Sequence, residues 1–342
     1  MARASRRPTL EDVAARAGVS RAHVSVVMRD APGASAETRE RVLQAAADLG
    51  YRPDARARLL AGNRSHVLGV IFNIRRAFHG ELVEGLYAAA DRAGYELLLV
   101  GLAPSRNEQR ALETILDFRC EALILLTETR IQPLVGRLPV VAVGWPDREA
   151  SVDVVRSADH KGLRAAVDHL VALGHRDIVH SDGGPGPVSV DRRRAYRTAM
   201  RRHGLGEHIR VVPGGDSEEA GATVARLLLN EGTLPTAVIA YNDDSAVGLM
   251  DSFIRAGVGV PDRVSVVGYD DSWLARLSNI NLTTVGQDAQ QMASLAFDRA
   301  IARVEGQEIP DRDLVLAPYL VVRGTTAAAN PSGNAVRRSE RK

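Results

Sequence analysis

Arg192 and Asp270 are the two charged residues of this 342-residue sequence whose positions most clearly suggest ligand chemistry. Arg192 begins a helical pattern after the Gly-rich turn Gly183–Pro187, and Asp270 follows the strand-like run Val264–Gly268. Both lie at predicted carboxyl ends of strands, where open α/β sheets bind ligands. A guanidinium and a carboxylate together can hold vicinal hydroxyl groups through charge-assisted hydrogen bonds. The alternative is a structural Arg192–Asp270 ion pair that binds no ligand.

Further polar side chains follow other predicted strands and are expected to line the same cleft. Asn73 and Arg75 follow the first strand, and Asn242 follows a later one. Asp243, the next residue, is expected to act as a helix cap instead. The adjacent pair Arg75 and Arg76 favours an anionic ligand.

Trp145 also follows a predicted strand and is one of only two tryptophans in the chain. An aromatic ring at this position could stack on the apolar face of a sugar. It could equally pack in the hydrophobic core. Both interpretations of Trp145 stay open at this point.

The first 50 residues contain three short helical patterns that are separated by tight turns. Thr9, Ser20 and Ser35 are the expected N-caps, and Gly18 and Gly50 are the expected helix ends. Two short helices joined by a turn that contains glycine are typical of a helix-turn-helix motif. The apolar residues expected to form its core include Leu10, Val13, Ala14, Ala17, Val24, Val27, Met28, Val42, Leu43 and Ala46.

The second of these helices has the size of a helix that enters the major groove of DNA, where residues near its N-terminus contact base edges. Arg21 could bind guanine through two hydrogen bonds, and Ala22 could contact a thymine methyl group. The alternative for Arg21 is a contact with phosphate only. The residues of this head expected to contact DNA are Thr9, Ser20, Arg21, Ala22, His23, Ser25 and Arg29.

Charge is distributed unevenly along the chain. Residues 1–64 contain twelve arginines and seven acidic residues, a net charge of +5, whereas the whole chain has a net charge of only +2. A basic N-terminal head on a nearly neutral body favours contact with phosphates. The segment Asp54–Ala61 is helix-compatible but too short to be stable alone, so we expect it to order only in a complex.

From Val67 onward, strand-like and helical runs alternate, which predicts parallel sheets covered by helices. The number of strands indicates two lobes with ligand between them. The predicted strands are Val67–Phe72, Leu97–Val100, Ala122–Leu126, Val140–Val143, Ile178–His180, Ile209–Val212, Ala237–Ala240 and Val264–Gly268. The predicted helices include Glu81–Ala93, Lys161–Leu173, Arg192–His203, Glu218–Asn230 and Ser245–Ala256. The expected domains are 1–52 for the helix-turn-helix head, 53–65 for a hinge, 66–328 for the two-lobed body and 329–342 for a disordered basic tail.

An ordered set of motifs resembles the lactose/galactose-repressor (LacI/GalR) family, and the resemblance covers roughly residues 8–326. Each motif alone is moderately specific, but their order and spacing together are very specific. The head and hinge motifs are Pro8–Met28 and Ser35–Gly62, and the body motifs are His169–His175, Asp191–Tyr196, Thr236–Gly248, Val264–Asp271, Leu282–Asp288 and Val321–Thr326.

The resemblance implies a body like that of a periplasmic sugar-binding protein, in which the chain crosses between the lobes three times. It implies that Leu60 enters the minor groove at the centre of the operator, where apolar side chains kink DNA, and that Ala57 lies in the same hinge contact. It also implies that Phe78 packs on the effector, and that Arg192 and Asp270 contact it. The resulting expectation is a homodimeric repressor of carbohydrate-uptake or catabolism genes, controlled by a sugar-like effector.

Several residues depart from the family pattern. His23, Val26 and Arg29 replace common head residues, which prevents transfer of a known operator half-site. Arg76-Ala77 stands where the family has Asn-Pro, and Trp145 stands where it often has Arg, so the effector itself is not implied. A corepressor-type regulator that responds to a non-sugar metabolite therefore stays open.

Other function classes have little support in the sequence. The dinucleotide, Walker, nucleophile-elbow and zinc-protease motifs are absent, and His79-Gly80-Glu81 lacks the paired cysteines of a deaminase. We therefore expect no catalysis, cofactor or metal; an α/β sugar-binding enzyme with an accessory head is the remaining enzyme alternative. A single buried thiol, Cys120, and no apolar run of membrane length favour a cytoplasmic, nucleoid-associated protein.

Overall fold

The computed structural model describes residues 8–28, 31–51, 64–103, 105–128, 136–145 and 152–330. The chain divides into two compact units, Met1–Ser65 and His66–Lys342, which we call the head and the body. Among the described residues, no helix has the length and apolar character needed to cross a membrane.

Short polar side chains begin each helix of the head. The backbone N–H of Asp12 donates to Thr9 Oγ1 while the Asp12 carboxylate accepts from the backbone N–H of Thr9, which is a capping box. Ser20 Oγ accepts from the N–H of His23, and Ser35 caps the third helix in the same way. These caps confirm the predicted starts of three helices: α1 (Leu10–Ala17), α2 (Arg21–Met28) and α3 (Ala36–Leu49).

The three helices of the head enclose a small core in which Val13, Val24 and Val42 are fully buried. The prediction that Leu43 belongs to this core was wrong, because its side chain is 50% exposed. Successive helical residues are rotated by about 100°, so the buried face of α3 that contains Val42 continues at Ala45 rather than at Leu43. The helix-turn-helix arrangement itself is confirmed.

The first lobe of the body is an all-parallel sheet covered by helices. Its strands are β1 (Val67–Asn73), β2 (Glu96–Leu102), β3 (Ala122–Leu125), β4 (Val140–Val143), β5 (Val152–Ser157) and β11 (Asp313–Leu316). Its helices are α4 (Ala77–Ala93), α5 (Glu108–Asp117) and α11 (Ala289–Val304). The strand order is β11-β5-β4-β3-β1-β2.

The second lobe repeats this plan, with one antiparallel strand at its edge. Its strands are β6 (Ile178–Ser181), β7 (Arg210–Val212), β8 (Ala237–Ile239), β9 (Ser265–Asp270), β10 (Thr283–Gly286) and β12 (Tyr319–Val321), in the order β12-β10-β9-β8-β6-β7. Strand β12 pairs with β10 in the antiparallel direction. Its helices are α6 (Asp159–Ala172), α7 (Pro187–Arg202), α8 (Glu218–Asn230), α9 (Asp243–Arg255) and the short α10 (Trp273–Arg276).

Three chain crossings join the two lobes, between β5 and α6, between β10 and α11, and between β11 and β12. Helix α11 therefore packs on the first lobe although β10, which precedes it, belongs to the second. The predicted α/β fold with two lobes and three crossings is confirmed.

The sequence analysis did not predict strands β5, β10, β11 and β12, which flank these crossings. Polar residues inside β5 and β10 interrupt the apolar pattern, yet they are buried and paired. Asp153 of β5 accepts hydrogen bonds from Arg299 and Arg303 of α11, and Thr284 of β10 donates to Asp243 at 2.6 Å. These partners are distant in sequence, so hydrophobic periodicity could not indicate burial here.

Candidate functional site

A cavity of about 220 Å³ lies between the two lobes of the body, and we call it the cleft cavity. Its walls come from the start of α4 and from the segments that follow several strands, which is where open α/β sheets bind ligands. Five of the seven residues predicted to bind an effector line it: Phe78, Trp145, Arg192, Asn242 and Asp270.

Asn73 and Arg75, which were expected in the same site, do not line the cleft cavity. They line a neighbouring, larger groove instead. The backbone explains their position, because the N–H of Arg75 donates to Asn73 Oδ1 and the N–H of Asn73 donates to His79 Nδ1. The loop after β1 is therefore turned so that Arg76, rather than Arg75, lines the cleft cavity.

Arg192 is held firmly by the second lobe. It lies in the second turn of α7, so the prediction that it begins the helix was wrong. Its Nε donates to Asp159 Oδ1 at 3.0 Å and its Nη1 donates to the carbonyl oxygen of Tyr241 at 2.6 Å. The guanidinium also lies 3.5 Å from the ring centroid of Tyr269. These contacts leave Nη2 directed toward Asp270, whose Oδ1 is 4.0 Å away.

Asp270 is the last residue of β9, so this strand ends two residues later than Gly268, where the sequence pattern predicted its end. Its φ of 114° is a conformation that non-glycine residues rarely adopt, and such strain is concentrated at functional sites. Gln287 Nε2 donates to its Oδ1 at 2.7 Å. Burial raises the pKa of the Asp270 carboxyl, while the nearby Arg192 guanidinium opposes that shift.

Asn242, rather than Asp243, caps helix α9, and Asp243 does not line the cleft cavity. Asn242 is the N-cap of α9, because its Oδ1 accepts from the N–H of Ser245 at 2.9 Å. Asp243 is the first helical residue and is fully buried, accepting from Ser272 and Thr284. The prediction of Asp243 as the cap was therefore wrong. Asn242 still lines the cleft cavity, but its amide is engaged in structural hydrogen bonds.

Aromatic residues form the apolar walls of the cleft cavity. Phe78 and Trp145 are 7% and 6% exposed, and each belongs to a hydrophobic core cluster of the first lobe while also lining the cavity. The two interpretations of Trp145 are thus compatible. Tyr241, which the sequence analysis missed, faces them from the second lobe, and its ring fills the space that a side chain at Gly183 would need.

Polar contacts across the cleft hold the two lobes together. Arg76 forms an ion pair with Asp216 at 3.1 Å and donates to its carbonyl oxygen. The N–H of Ala77, at the start of α4, donates to Asp244 Oδ1 at 3.4 Å. Glu81 and Arg276 form a second interlobe ion pair. The contacts that hold the lobes together are therefore mainly those between the N-terminal turns of α4 and residues of the second lobe.

A further contact across the cleft involves Glu128, which follows β3 and was not singled out from the sequence. Its carboxylate accepts from the backbone N–H of Val188, at the N-terminus of α7. A carboxylate is favoured there by the unpaired N–H groups of the first helical turn. Burial nevertheless raises the pKa of Glu128. Gly186 permits the approach, since a Cβ at that position would lie 2.9 Å from the carboxylate.

The balance of charge in the cleft cavity does not favour an anion. Arg76 is paired with Asp216, and Arg192 is paired with Asp159. The carboxyl groups of Glu128 and Asp270 lie in the same cavity. The expectation of an anionic ligand from Arg75 and Arg76 therefore receives no support from the described residues.

His79, which lines the cleft cavity, and Cys120, which does not, belong to residue types that can react, but burial shifts the pKa of each. Burial lowers the pKa of His79 to about 3, so its ring stays neutral and Nδ1 accepts a hydrogen bond. Burial raises the pKa of the half-buried Cys120 thiol to about 12, so it is not a thiolate at neutral pH. Within the described residues, no group of three or more His, Cys, Asp or Glu could hold a metal ion.

The head presents several predicted DNA contacts on one surface of α2. Arg21, Ala22 and His23 are exposed, and Ser25 is partly exposed on the same helix. Arg21 lies 3.4 Å from the exposed carboxylate of Glu11, and Ser20 Oγ is hydrogen-bonded to His23 Nδ1. Thr9 is engaged in its capping box. The predicted contacts Arg29, Ala57 and Leu60 lie outside the described residues.

Asp244 should make the stability of the body depend on pH. Burial, together with the negative charge of Asp270, raises its pKa to about 7, whereas an unfolded Asp titrates near about 3.9. Between these values the folded state holds a proton that the unfolded state lacks. The stabilisation is therefore complete below about pH 4 and is lost as the pH rises through about 7. Asp244→Asn should remove this pH-dependent component of the free energy of unfolding.

Urea-induced unfolding between about pH 5 and pH 8 tests this expectation, and both tryptophans, Trp145 and Trp273, report on the body. The stability of the wild type relative to Asp244→Asn should fall as the pH rises. Relative to Asp251→Asn, an exposed control on the same helix, it should stay constant. Parallel curves for the wild type and Asp244→Asn would show that Asp244 is ionised throughout.

Comparisons with known proteins agree with this architecture. Residues 9–54 match the model for bacterial regulatory proteins of the lacI family, and residues 167–326 match the model for a periplasmic binding protein-like domain. The ribose operon repressor of Escherichia coli (strain K12) is 32% identical over 327 residues, which cover 93% of this chain and 99% of that repressor.

Solved structures give the same result. A LacI transcriptional regulator from a Rhodococcus species is 46% identical with a TM-score of 0.74, covering 77% of this chain and 99% of that one. The lac repressor dimer bound to operator and the anti-inducer ONPF is 29% identical with a TM-score of 0.81, covering 94% of this chain and 100% of that one. With the head, the two lobes and these similarities in agreement, this chain belongs to the lacI family of bacterial regulatory proteins and is a DNA-binding regulator of transcription.

Proposed function

We propose that this chain is a homodimeric repressor of carbohydrate-uptake or catabolism genes whose operator affinity is controlled by a small sugar or sugar derivative. The observation that supports this most is the 4.0 Å separation of Arg192 Nη2 and Asp270 Oδ1 inside the cleft cavity. This distance is too long for a hydrogen bond between them. One hydroxyl oxygen can lie about 2.8 Å from both atoms, accepting from Arg192 and donating to Asp270.

The rest of the cleft cavity suits a small, neutral ring. Phe78, Trp145 and Tyr241 offer apolar surface, and a sugar presents both an apolar face and a hydroxyl edge. The volume of about 220 Å³ is below the range of about 300–1,000 Å³ that is usual for ligand pockets, so we infer a ligand of one ring. A relative named as a ribose operon repressor supports a carbohydrate of this size.

The head supports the DNA-binding part of the proposal. Arg21, Ala22 and His23 form an exposed surface at the start of α2, as direct contact with base edges requires. One head has few base contacts, so we infer a dimer on a pseudopalindromic operator, and a similar solved repressor is a dimer bound to operator. We assign residues 1–52 to DNA binding, 53–65 to the hinge, 66–328 to effector binding and dimerisation and 329–342 to a basic tail, in a cytoplasmic, nucleoid-associated protein.

Control by the effector follows from lobe closure. A ligand shifts a conformational equilibrium only if it binds one state better than the other. A sugar that contacts Phe78 in the first lobe and Asp270 in the second binds the closed arrangement better than an open one. Closure would then change the separation of the two hinges in the dimer.

Two alternatives stay open beside this proposal. In a corepressor-type regulator the ligand, including a non-sugar metabolite, would promote operator binding rather than release. We propose no catalytic role, because the similar proteins reported above are named as regulators or repressors. Turnover of a candidate sugar by the purified protein would favour the enzyme alternative.

Asp270→Asn should weaken effector binding and leave operator binding in the absence of ligand unchanged. The variant retains the Oδ1 that accepts from Gln287 but lacks the charge, and a charge-assisted hydrogen bond contributes about 1.5–3 kcal/mol. The effector is first identified by thermal shift with pentoses, hexoses and their derivatives, and calorimetry then measures its affinity. Asp251→Asn, a substitution at an exposed residue that does not line the cavity, should bind as the wild type does. Wild-type affinity in Asp270→Asn would show that Asp270 is structural.

Arg21→Ala should weaken specific operator binding by about 1–3 kcal/mol and largely spare non-specific binding. The matched control is Arg16→Ala, since Arg16 is an exposed head arginine that pairs with Asp48 rather than lying on α2. Fluorescence anisotropy with operator and scrambled duplexes at fixed salt gives both affinities. If Arg21→Ala lowers the two affinities equally, Arg21 contacts only phosphate.

A further inference from the structure

A second cavity of about 330 Å³ lies between helices α6 and α7 of the second lobe, and we call it the α6–α7 groove. None of the residues that line it also lines the cleft cavity. Its lining is dominated by basic side chains. These are Arg156, His160, Arg164, Arg194 and Arg202, with Asp159 and Asp191 as the acidic members.

The basic side chains of the groove differ in whether they are already paired. Arg156 forms two hydrogen bonds with Asp313, at 2.8 Å each, and Arg164 lies 3.9 Å from Asp168. In contrast, Arg194, Arg202 and His160 have neither a side-chain hydrogen bond nor an ion-pair partner among the described residues. Part of the positive charge of this groove is therefore not neutralised by the protein.

The position of the two unpaired arginines follows from the sequence of α7. This helix contains six arginines in 16 residues. Arg192 and Arg193 are engaged by Asp159 and Asp182, which gives them structural roles. Arg194 and Arg202 are eight residues apart, which separates them by about 12 Å along the helix and about 80° around its axis, so both can project from one broad face. That face borders the groove.

We propose that the α6–α7 groove binds a small phosphorylated ligand through Arg194, Arg202 and His160, as a site separate from the cleft cavity. Guanidinium groups match phosphate oxygens in a bidentate geometry, and a partly enclosed groove with several cations concentrates such anions. Inorganic phosphate and a phosphorylated metabolite share this chemistry. Asp191, a carboxylate of the lining whose charge interacts with Arg156, limits the groove to a compact anion that can lie beside the arginines.

The floor of the groove is connected to the cleft cavity by one ion pair. Asp159 lines the groove, and its Oδ1 accepts from Arg192, which lines the cleft cavity. A phosphate group in the groove would change the electrostatic surroundings of this pair. Binding at the two sites is therefore expected to be coupled, and any such coupling must be reciprocal.

Calorimetry of the full chain at low ionic strength, with pyrophosphate as the probe, tests this site. Arg194→Ala/Arg202→Ala should weaken pyrophosphate binding at least about tenfold, as expected for the loss of charge-assisted hydrogen bonds. The matched control is Arg197→Ala/Arg201→Ala, which removes two exposed arginines of the same helix that do not line the groove. It should change the affinity less than about twofold. Arg194→Lys/Arg202→Lys should recover part of the affinity, because it restores charge without bidentate geometry.

Further titrations distinguish a phosphorylated metabolite from the free phosphate anion. Tighter binding of glucose 6-phosphate than of inorganic phosphate would support a phosphorylated metabolite, and equal binding would support the free anion. Three results would overturn the proposal. The first is that the wild type gives no heat of binding with pyrophosphate. The second is that Arg194→Ala/Arg202→Ala and Arg197→Ala/Arg201→Ala lose the same amount of pyrophosphate affinity, and the third is that Arg194→Ala/Arg202→Ala weakens binding to duplex DNA but not to pyrophosphate. None of them depends on the identity of the effector in the cleft cavity.

Discussion

The buried ion pair between Asp159 and Arg192 is the interaction on which the site depends. Asp159 is the first residue of α6, directly after the first crossing between the lobes, and its Oδ1 also accepts from the Tyr269 hydroxyl at 2.8 Å. This carboxylate therefore joins α6, α7 and β9 at one point. A guanidinium that is only 5% exposed needs such a partner, because an unpaired buried charge is very costly. With Nε and Nη1 engaged, Arg192 has one orientation and offers one end to the cleft cavity.

The opposite side of the cleft cavity is determined by the contacts between the lobes. Arg76, Ala77, Glu81 and Glu128 of the first lobe each have a partner in the second. The carboxyl group of Asp244 in these contacts is fully buried, and that of Glu81 is partly buried. The two lobes thus enclose a small cavity with the rings of Phe78 and Trp145 on the side of the first lobe and the Arg192–Asp270 gap on the side of the second. In the function we propose, effector binding and lobe closure form one equilibrium, since a ligand shifts a conformational equilibrium only when it binds one state better.

Local interactions were predictable from the sequence. Helices begin at the caps Thr9 and Ser35 and end at Gly18 and Gly50, through contacts within about four residues. The types and spacing of these residues alone therefore indicate the helix boundaries. The long apolar runs of the central strands were equally clear, since burial on both faces of a parallel sheet needs no alternation. Such strands also led us to select Arg192 and Asp270, although Arg192 lies in the second turn of α7 and Asp270 is the last residue of β9.

Interactions between distant segments were not predictable in this way. The main partner of Arg192 is Asp159, which lies 33 residues earlier, just after the unpredicted strand β5. Asn242 and Asp243 are adjacent and both suit a helix N-terminus, and only the positions of Ser272 and Thr284 determine which of them is buried. Arg75 and Arg76 are likewise equivalent in sequence, and the turn after β1 directs only Arg76 to the cleft cavity.

The most direct test of this account is a crystal structure of the full chain with the sugar that stabilises it most. The account predicts that one ligand hydroxyl lies within about 3.2 Å of both Arg192 Nη2 and Asp270 Oδ1, with the ring against Phe78 and Trp145. Arg192 Nε should remain hydrogen-bonded to Asp159. A ligand bound elsewhere, with the gap between Arg192 and Asp270 unfilled, would contradict the account.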